Sequence, residues 1–228
     1  MAPFARNGTG SRPGHQIALL QGGRELFPAI ADAIDAAREE IRLETYIFSF
    51  DESGLLVAQA LARAAERGVK VFLMMDGFGT PALPAEWAGR FDASGVSWHV
   101  FQPLGPWGAV VPSRWRRLHR KICVIDGALA FCGGINIMDD FHDPAAGALS
   151  APRLDFAVRV TGPLVQDMQE AAARFWWRST VAQELRDREL PAAWRELQQR
   201  MRQALTVRGQ NAPALDDAPN SGMAAGPG

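Results

Sequence analysis

Residues 119–136 read HRKICVIDGALAFCGGIN, and this stretch decides the fold expected of the 228-residue chain. Two β-rich runs, 118–125 and 128–132, lie on either side of the pair Asp126-Gly127. An Asp-Gly pair between two apolar runs is typical of a β-hairpin turn, because both turn residues must adopt positive φ angles. The stretch therefore predicts two antiparallel strands joined by a tight turn.

The hairpin carries a group of polar residues at its open end. Side chains alternate along a strand, so His119 and Lys121 are predicted to project from one face. Gly133 and Gly134 end the second strand, where a ligand can approach the backbone closely, and Asn136 adds an amide. Lysine and asparagine suit phosphate oxygens, while histidine attacks phosphorus or transfers a proton near neutral pH. We therefore expect a phosphate site; the alternative is a hairpin with an incidental histidine.

Outward from the hairpin, short β-rich runs alternate with segments of helical period, which is typical of an α/β fold. The predicted strands are 17–20, 41–50, 69–75, 96–101 and 154–160, and the predicted helices are 24–40, 54–67, 84–93 and 164–177. Residues 102–118 are rich in proline and glycine and are predicted to form a long loop. We expect a flexible N-terminus at 1–15, a domain at 16–178, and a helical linker with a disordered tail at 179–228.

Composition places the chain among globular proteins, since 47% of its residues are hydrophobic, 21% are charged and the net charge is -1. Its length corresponds to about 1.5 domains of typical size, which excludes two complete catalytic domains. No apolar run approaches the ~20 residues of a membrane-spanning helix, so membrane contact is expected at the surface only. The two cysteines, Cys123 and Cys132, suit buried thiols in a reducing compartment, and we expect a cytoplasmic protein.

The spacing H-x-K-x4-D-x6-G-G-x-N resembles the HKD signature of the phospholipase D superfamily, and the surrounding sequence is similar to bacterial cardiolipin synthases. Three segments carry the resemblance: IRLETYIFSFDESGLLVAQALARAAERGVKVFLMMDGFG at 41–79, HRKICVIDGALAFCGGINI at 119–137 and RLDFAVRVTGPLVQDMQEAAARFWW at 153–177. The resemblance extends over residues 16–178. It implies a phospholipase D-like α/β/α sandwich in which helices flank a central mixed sheet.

The resemblance also implies roles for the residues of the motif. His119 is expected to form a covalent phosphohistidine or to protonate the leaving group, and Asp126 is expected to support the site without attacking. Lys121 is expected to be catalytic together with His119 and Asp126, and Lys121 and Asn136 are expected to hold the phosphate. Further residues expected to bind phosphate are Gly133, Gly134 and Arg120. No metal and no cofactor is implied, because lysine and asparagine offset the charge that develops on phosphorus.

One departure from the family pattern concerns the number of motifs. Enzymes of the superfamily place two HKD motifs across one site, so that one histidine attacks phosphorus and the other protonates the leaving oxygen. This sequence contains one motif, because none of His15, His99 and His142 is followed by a lysine two positions later. The chain looks like an N-terminal half of a cardiolipin synthase. We expect the second motif from a homodimer mate or from a missing C-terminal half.

Five positive charges fall within eight residues beside the motif. They are Arg114, Arg116, Arg117, Arg120 and Lys121. The patch is local in a chain of nearly zero net charge, and Arg114, Arg116 and Arg117 are expected to attract anionic headgroups or nucleic-acid phosphate; a solvated loop is the alternative. Trp107 and Trp115 lie in the same loop and suit a lipid interface and core packing equally well.

Three carboxylates lie in or beside predicted strands: Glu44, Asp76 and Asp155. Carboxylates at strand ends of α/β folds often face a site, and the resemblance makes Glu44 and Asp76 candidates for its support. Asp155 is a candidate because a short strand after the motif often carries a polar residue towards the site. A purely structural role is the favoured interpretation for each of them.

The first functional hypothesis is a phosphatidyltransferase that acts on an anionic, phosphatidylglycerol-like phospholipid at the inner face of the cell membrane. The second is a homodimeric phosphodiesterase or nuclease that uses the same motif on nucleic acid, a partner that the resemblance to cardiolipin synthases disfavours. The third is an inactive half-protein that binds phosphate or membrane without turnover, because the second motif is missing. Salt dependence of DNA binding distinguishes the first two, since contacts to nucleic-acid phosphates weaken steeply with salt.

Overall fold

A computed structural model describes residues 13–103, 116–143 and 146–183 of the chain. Two compact units divide the sequence at Met1–Thr180 and Val181–Gly228, and the fold described here is that of the first unit. Its elements are β1 (Gln16–Gln21), α1 (Gly22–Ala36), β2 (Glu40–Thr45), α2 (Glu52–Glu66), β3 (Lys70–Asp76), α3 (Ala85–Ser94), β4 (Ser97–Phe101), β5 (Ile122–Ile125), β6 (Leu129–Gly133), β7 (His142–Asp143), β8 (Gly147–Ala148) and β9 (Phe156–Thr161). A further helix, α4, begins at 164 and continues to 180, where this unit ends.

In the described part of the chain, seven strands form one mixed sheet in the order β1-β9-β6-β5-β2-β3-β4. Strands β2, β3 and β4 run parallel to one another, and the other neighbours pair antiparallel. The parallel strands are joined through α2 and α3, which supply the crossovers that parallel pairing requires. Strands β7 and β8 form a separate small hairpin that the sequence did not predict. The α/β class and the central mixed sheet are confirmed.

Helices cover both faces of the sheet. Along β2, Ile41 and Leu43 point into a core built with α1, α2 and α3. On the other face, Val124 of β5 packs with Val165 of α4, and Trp176 of α4 packs with Met74 of β3. Alternation along the strands therefore divides the buried side chains between two layers of helix. This is the α/β/α sandwich that the resemblance implied.

Local sequence explains where several elements begin and end. The Asp51 side chain caps α2 by accepting a hydrogen bond of 2.9 Å from the backbone N–H of Gly54. Gly68 follows α2 with a φ of +89°, a conformation that suits glycine at a helix end. Asp126 and Gly127 adopt φ angles of +49° and +61°, as the hairpin turn requires. The Asp-Gly turn predicted from the sequence is confirmed.

Two strands, β2 and β5, are four residues shorter than predicted, and β4 and β9 are each one residue shorter. β2 ends at Thr45 because the side-chain carbonyl of Asn136 accepts a hydrogen bond from the Ile47 N–H, which diverts the chain from the sheet. β5 begins at Ile122, so His119 and Lys121 lie in the extended segment that precedes it. The tertiary contact at the end of β2 is not contained in strand propensity.

Several predictions fall on residues outside the described part of the chain. These are Arg114, Trp107, Trp115, most of the flexible N-terminus and most of the linker and tail from 184 onward. Among the helices that the structure describes, none combines the length and the apolar character that a membrane span requires.

Candidate functional site

The polar residues of the motif lie at one edge of the sheet, called the site edge below. The register places the end of β2 beside the start of β5, since Glu44 pairs with Ile122. It also places the end of β6 beside the start of β9, since Gly133 pairs with Ala157. The parallel strand β3 ends at the same edge with Asp76. The site edge thus gathers residues that are far apart in sequence. The opposite edge, called the turn edge, contains the β5–β6 hairpin turn.

His119 and Lys121 lie together at the site edge. The Lys121 Nζ is 3.3 Å from Nδ1 and 3.4 Å from Nε2 of the His119 ring, and 3.4 Å from the His119 carbonyl oxygen. The imidazole is exposed and the lysine is half-buried. Burial lowers the pKa of Lys121, while the carboxylates of Asp155 and Asp76 act in the opposite direction. An ammonium is therefore held beside an accessible imidazole, on the shared face that strand alternation predicts.

The ring of Tyr46, a residue that the sequence pattern did not single out, lies close to both His119 and Lys121. Its ring centroid is 5.1 Å from that of His119, with 46° between the planes, and Lys121 Nζ lies 5.4 Å from the Tyr46 ring centroid. Burial raises the pKa of the Tyr46 hydroxyl, the charge of Asp76 adds to this rise and Arg117 opposes it. The only signal in the sequence is that Tyr46, the single tyrosine of the chain, directly follows β2 at the site edge.

Asn136 is oriented by a backbone contact from β2's end. Its Oδ1 accepts a 3.1 Å hydrogen bond from the Ile47 N–H, the residue after Tyr46. The Ile137 N–H in turn donates to the Ile47 carbonyl at 3.1 Å. Because the carbonyl oxygen of the amide is engaged, the NH2 group is the part of Asn136 that can donate to an anion.

Gly133 and Gly134 are required by packing against β9. A Cβ at Gly133 would overlap the Phe156 carbonyl oxygen, and a Cβ at Gly134 would overlap the carboxylate of Asp155. The Asp155 carboxylate also accepts a 2.8 Å hydrogen bond from the Phe156 N–H. Both glycines remain exposed. The close approaches within the chain are those of Phe156 and Asp155, and the approach of a ligand to these glycines stays a prediction.

Arg120 corrects the set of phosphate ligands expected from the sequence. It lies on the face opposite His119, with its Nη2 2.7 Å from the Glu44 Oε2 in an ion pair that lacks hydrogen-bond geometry. Its guanidinium carbon lies 4.5 Å from the ring centroid of Phe175 in α4. The alternation that brings His119 and Lys121 together turns the residue between them away. Arg120 is thus a contact between the sheet and α4.

Glu44, the partner of Arg120, belongs to the same face. Only 3% of the residue is exposed. Burial raises the pKa of its carboxyl to about 7, although Arg120 and Arg42 both act to lower it. Desolvation therefore outweighs two nearby cations, and Glu44 supports the layer of α4 and not the pair His119 and Lys121.

Asp126 lies at the turn edge, away from His119. Its carboxylate accepts hydrogen bonds of 2.9 Å from the backbone N–H groups of Arg38, Glu39 and Glu40. Burial on its own raises the pKa of Asp126, but these three donors outweigh it and lower the pKa below the ordinary value. The Asp126 side chain therefore joins the hairpin turn to the start of β2, and the structure does not bring it to the candidate site.

Basic and apolar side chains surround the site edge. Arg117 donates a 3.4 Å hydrogen bond to the Gln102 carbonyl and lies over Phe78, 5.3 Å from the ring centroid, while Arg116 is exposed. Four exposed apolar residues belong to the segments at this edge and are called the site rim: Phe78, Phe141, Leu154 and Phe156. The segment of Phe141 lies at the same edge, because Asp140 accepts a 2.6 Å hydrogen bond from the N–H of Gly23 in the first turn of α1, which directly follows β1.

The cysteines and possible metal ligands complete the description. Burial raises the pKa of Cys123 to about 12, and it also raises that of half-buried Cys132; both are free thiols. They line a cavity of about 20 Å³, room for one water, which lies behind Lys121. Across the described residues, no three His, Cys, Asp or Glu side chains converge as metal ligands.

The arrangement provides an accessible imidazole, an ammonium in contact with it and an amide NH2 on the adjoining segment. These groups can hold the oxygens of a phosphate and attack phosphorus or move a proton. A family model described as "Cardiolipin synthase, PLD-like domain" matches residues 30–143, which include all of these groups.

Curated relatives resemble the chain over most of its length. It is 38% identical over 176 residues to cardiolipin synthase B of Escherichia coli strain K12, a match that covers 73% of this chain and 42% of that protein. It is 34% identical over 166 residues to cardiolipin synthase A of Pseudomonas putida, covering 73% and 34% respectively. The chain thus spans less than half the length of these curated relatives.

Solved structures share the fold. Nuc from Salmonella typhimurium, a phospholipase D family member, superposes with a TM-score of 0.51 at 18% identity, covering 72% of this chain and 95% of that one. The phosphatidylserine synthase of Haemophilus influenzae Rd KW20 superposes with a TM-score of 0.52 at 17% identity, covering 68% and 35%. At these identities the likeness shows the fold alone.

Proposed function

We propose that this chain, which belongs to the phospholipase D-like family of the cardiolipin synthase type, transfers phosphatidyl groups through a covalent intermediate on His119. The observation that carries the proposal is the contact of Lys121 Nζ with the exposed His119 ring at 3.3 Å. An ammonium at this distance can bind a non-bridging oxygen of the phosphodiester that the imidazole attacks. The identity to cardiolipin synthases supports the choice of lipid as substrate.

The proposed reaction has two steps. A ring nitrogen of His119 attacks phosphorus, the bond from phosphorus to the alcohol oxygen breaks, and a second histidine gives its proton to that oxygen. The hydroxyl of a second lipid, or water, then gives its proton to the second histidine and attacks the phosphatidyl-histidine, which frees His119. Lys121 and Asn136 bind the non-bridging oxygens in both steps.

The second histidine must come from outside the motif described here. A second copy of the chain across a two-fold axis can supply it, as can a C-terminal half such as the additional length of the curated relatives. In either arrangement His119 faces the partner's histidine across the phosphate. Asp126, at the turn edge, contributes by holding the hairpin to β2.

The proposed substrate is an anionic phospholipid of the phosphatidylglycerol type, reached from the cytoplasmic face of the membrane. The exposed site rim supports contact with lipid, since apolar side chains grouped around a site mark an interaction surface. Arg116 and Arg117 lie at the same edge and favour anionic headgroups, at about 1 kcal/mol per basic residue.

A vesicle assay tests the proposal. Purified protein is incubated with phosphatidylglycerol vesicles and the products are identified by mass spectrometry, with His119→Ala as the test variant. His15→Ala is the matched control, because His15 precedes β1 near the turn edge, where its ring accepts a weak hydrogen bond from Leu164. Cardiolipin or phosphatidic acid is expected from the wild type and His15→Ala alone.

Other outcomes contradict the proposal or narrow it. Product formed equally by His119→Ala removes His119 from the mechanism. No product from a folded, vesicle-bound wild type excludes the arrangement with a second copy and leaves the second histidine to a C-terminal half. Cleavage of a single-stranded oligonucleotide in place of lipid, with binding that weakens steeply with salt, favours the nuclease alternative suggested by the basic residues Arg116 and Arg117.

A further inference from the structure

We propose that Asp76 is a positioning residue, which sets the place of His119 through the backbone of Leu118. The inference rests on the proposed function only where it concerns phosphate, because the contacts of Asp76 with the chain around His119 stand by themselves. Asp76 ends β3 at the site edge and is 0% exposed.

The Asp76 carboxylate binds backbone on two sides. Its Oδ2 accepts a 2.6 Å hydrogen bond from the Leu118 N–H, the residue directly before His119. Its Oδ1 accepts from the Phe78 N–H at 2.8 Å and from the Gly79 N–H at 3.4 Å. Hydrogen bonds from N–H groups to a buried carboxylate are charge-assisted and therefore strong. A single carboxylate thus joins the loop after β3 to the segment that carries His119.

The same loop also fixes Tyr46. The Thr80 N–H donates to the Asp76 carbonyl at 2.7 Å, which places the Thr80 hydroxyl beneath the end of β2. That hydroxyl donates to the Tyr46 carbonyl at 3.3 Å and accepts from the Phe48 N–H at 2.8 Å. Both rings of the Tyr46 and His119 contact are therefore held by one loop, which Asp76 organises.

The surroundings of Leu118 make this contact rigid. Leu118 is 2% exposed and packs with Met74, Phe101 and Trp176 in an apolar cluster. An unpaired backbone N–H in such a cluster is costly, so the N–H of Leu118 is held to the Asp76 oxygen. A change in this hydrogen bond moves the residue next to the imidazole and alters the 3.3 Å contact of His119 with Lys121.

Asp126 offers a matched control for Asp76. It also accepts three backbone N–H hydrogen bonds, but it does so at the turn edge, on Arg38, Glu39 and Glu40. Replacing either aspartate by asparagine removes a charge and one acceptor from a cluster of backbone donors. Only Asp76→Asn should also disturb the His119 ring.

The experiment compares Asp76→Asn with Asp126→Asn by NMR and uses inorganic phosphate as the probe. The ring signals of His119 are recorded first without phosphate, and phosphate affinity and thermal stability are then measured. Asp76→Asn is expected to shift and broaden the His119 ring signals and to weaken phosphate binding at least fivefold. Asp126→Asn is expected to lower stability to a similar degree while the His119 signals stay in place.

Unchanged His119 signals in folded Asp76→Asn, or equal changes in both variants, would overturn the inference. If the wild type binds no phosphate, the proposed function fails, but the ring signals still decide the role of Asp76. If Asp76→Asn does not fold, Asp76→Glu keeps the charge while moving the oxygens, and the same shift in the His119 ring signals is expected from it.

Discussion

Two aspartates, at opposite edges of the sheet, bind the backbone in the same way and serve different ends. Asp76 and Asp126 each accept three backbone N–H hydrogen bonds. Asp76 is fully buried at the site edge and binds the residue before His119. Asp126 is partly exposed and binds the start of β2. The number and kind of hydrogen bonds that a carboxylate accepts therefore do not reveal its role. Its role depends on which segment of the chain supplies the N–H donors.

Strand geometry explains why the aspartate of the motif lies far from its histidine. Asp126 lies five positions after Lys121, and an extended chain rises about 3.3 Å per residue, so about 17 Å lies between them. A side chain of aspartate spans only a small part of that length. The spacing H-x-K-x4-D therefore measures one strand, with the chemistry at its beginning and the hairpin turn at its end.

The largest difference between the edges is expected for Lys121→Met. Removing the ammonium beside His119 leaves the charge that develops on phosphorus without its nearest cation, so turnover should fall about 10³-fold, or about 4 kcal/mol. Turnover of phosphatidylglycerol vesicles measures the loss. Arg38→Gln, at the turn edge, is the control and should retain activity. A Lys121→Met enzyme as active as this control would show that the ammonium at the site edge takes no part in the reaction.

Glu44→Gln tests whether the two faces of the site edge are separate. In the wild type the folded protein keeps the Glu44 proton up to a pKa of about 7, while the unfolded chain releases it near 4.5. Stability of the wild type should therefore fall as pH rises from 4.5 to 7, by up to about 3 kcal/mol, and become constant above 7.

Urea unfolding between pH 4.5 and 8 measures this effect. Glu44→Gln should lack the slope and should bind phosphate as the wild type does, since Glu44 faces α4. Parallel stability curves for the two proteins, or a loss of phosphate affinity, would contradict the separation of the faces.

Asp126→Asn tests the turn edge, where the pH dependence of stability has the opposite sign to that of Glu44. The lowered pKa of Asp126 means that its stabilising contribution is complete above the ordinary value of 3.8 and is lost as pH falls through the folded value. The variant should be less stable by about 2 kcal/mol at pH 7, since hydrogen bonds to a charged group are lost. Thermal unfolding should show this difference shrinking below pH 3.8. A difference in stability that stays constant down to pH 2 would show that the charged Asp126 side chain does not stabilise the start of β2.

The smallest effect is expected for the exposed charges of the two edges. Arg116→Gln removes one cation beside the site rim, which should weaken binding to anionic vesicles about fivefold, or about 1 kcal/mol. Arg38→Gln removes an exposed cation at the turn edge and should leave vesicle binding unchanged. Cosedimentation with phosphatidylglycerol vesicles measures both. Equal losses of vesicle binding in the two variants would mean that the vesicle surface does not bind preferentially to the site edge.

The turn edge was predictable from the sequence because its signals are local. Asp126-Gly127 between two apolar runs specifies the hairpin, and Gly68 after a helical period specifies the end of α2. His119 and Lys121 share one segment, so alternation predicted their common face. The same rule places Arg120 on the other face, towards Glu44 and Phe175, and thus away from the expected phosphate site.

Contacts between distant segments account for the parts that sequence reasoning missed. Tyr46 reaches His119 across the sheet, and its position depends on Thr80 after β3. β2 ends early because Asn136, after β6, takes the N–H of Ile47. Propensity and periodicity describe neighbours along the chain, and these residues become neighbours only once the sheet has formed.

Chemical-shift mapping with inorganic phosphate tests most directly whether the phosphate site lies at one edge of the sheet. The ring signals of His119, the side-chain NH2 signals of Asn136 and the amide signal of Gly134 are followed during a titration, with the Gly127 amide as the reference at the turn edge. The first three signals are expected to move together with a single dissociation constant while the Gly127 signal stays in place. Movement of the Gly127 signal with them, or no movement at His119 and Asn136, would contradict a phosphate site at the site edge.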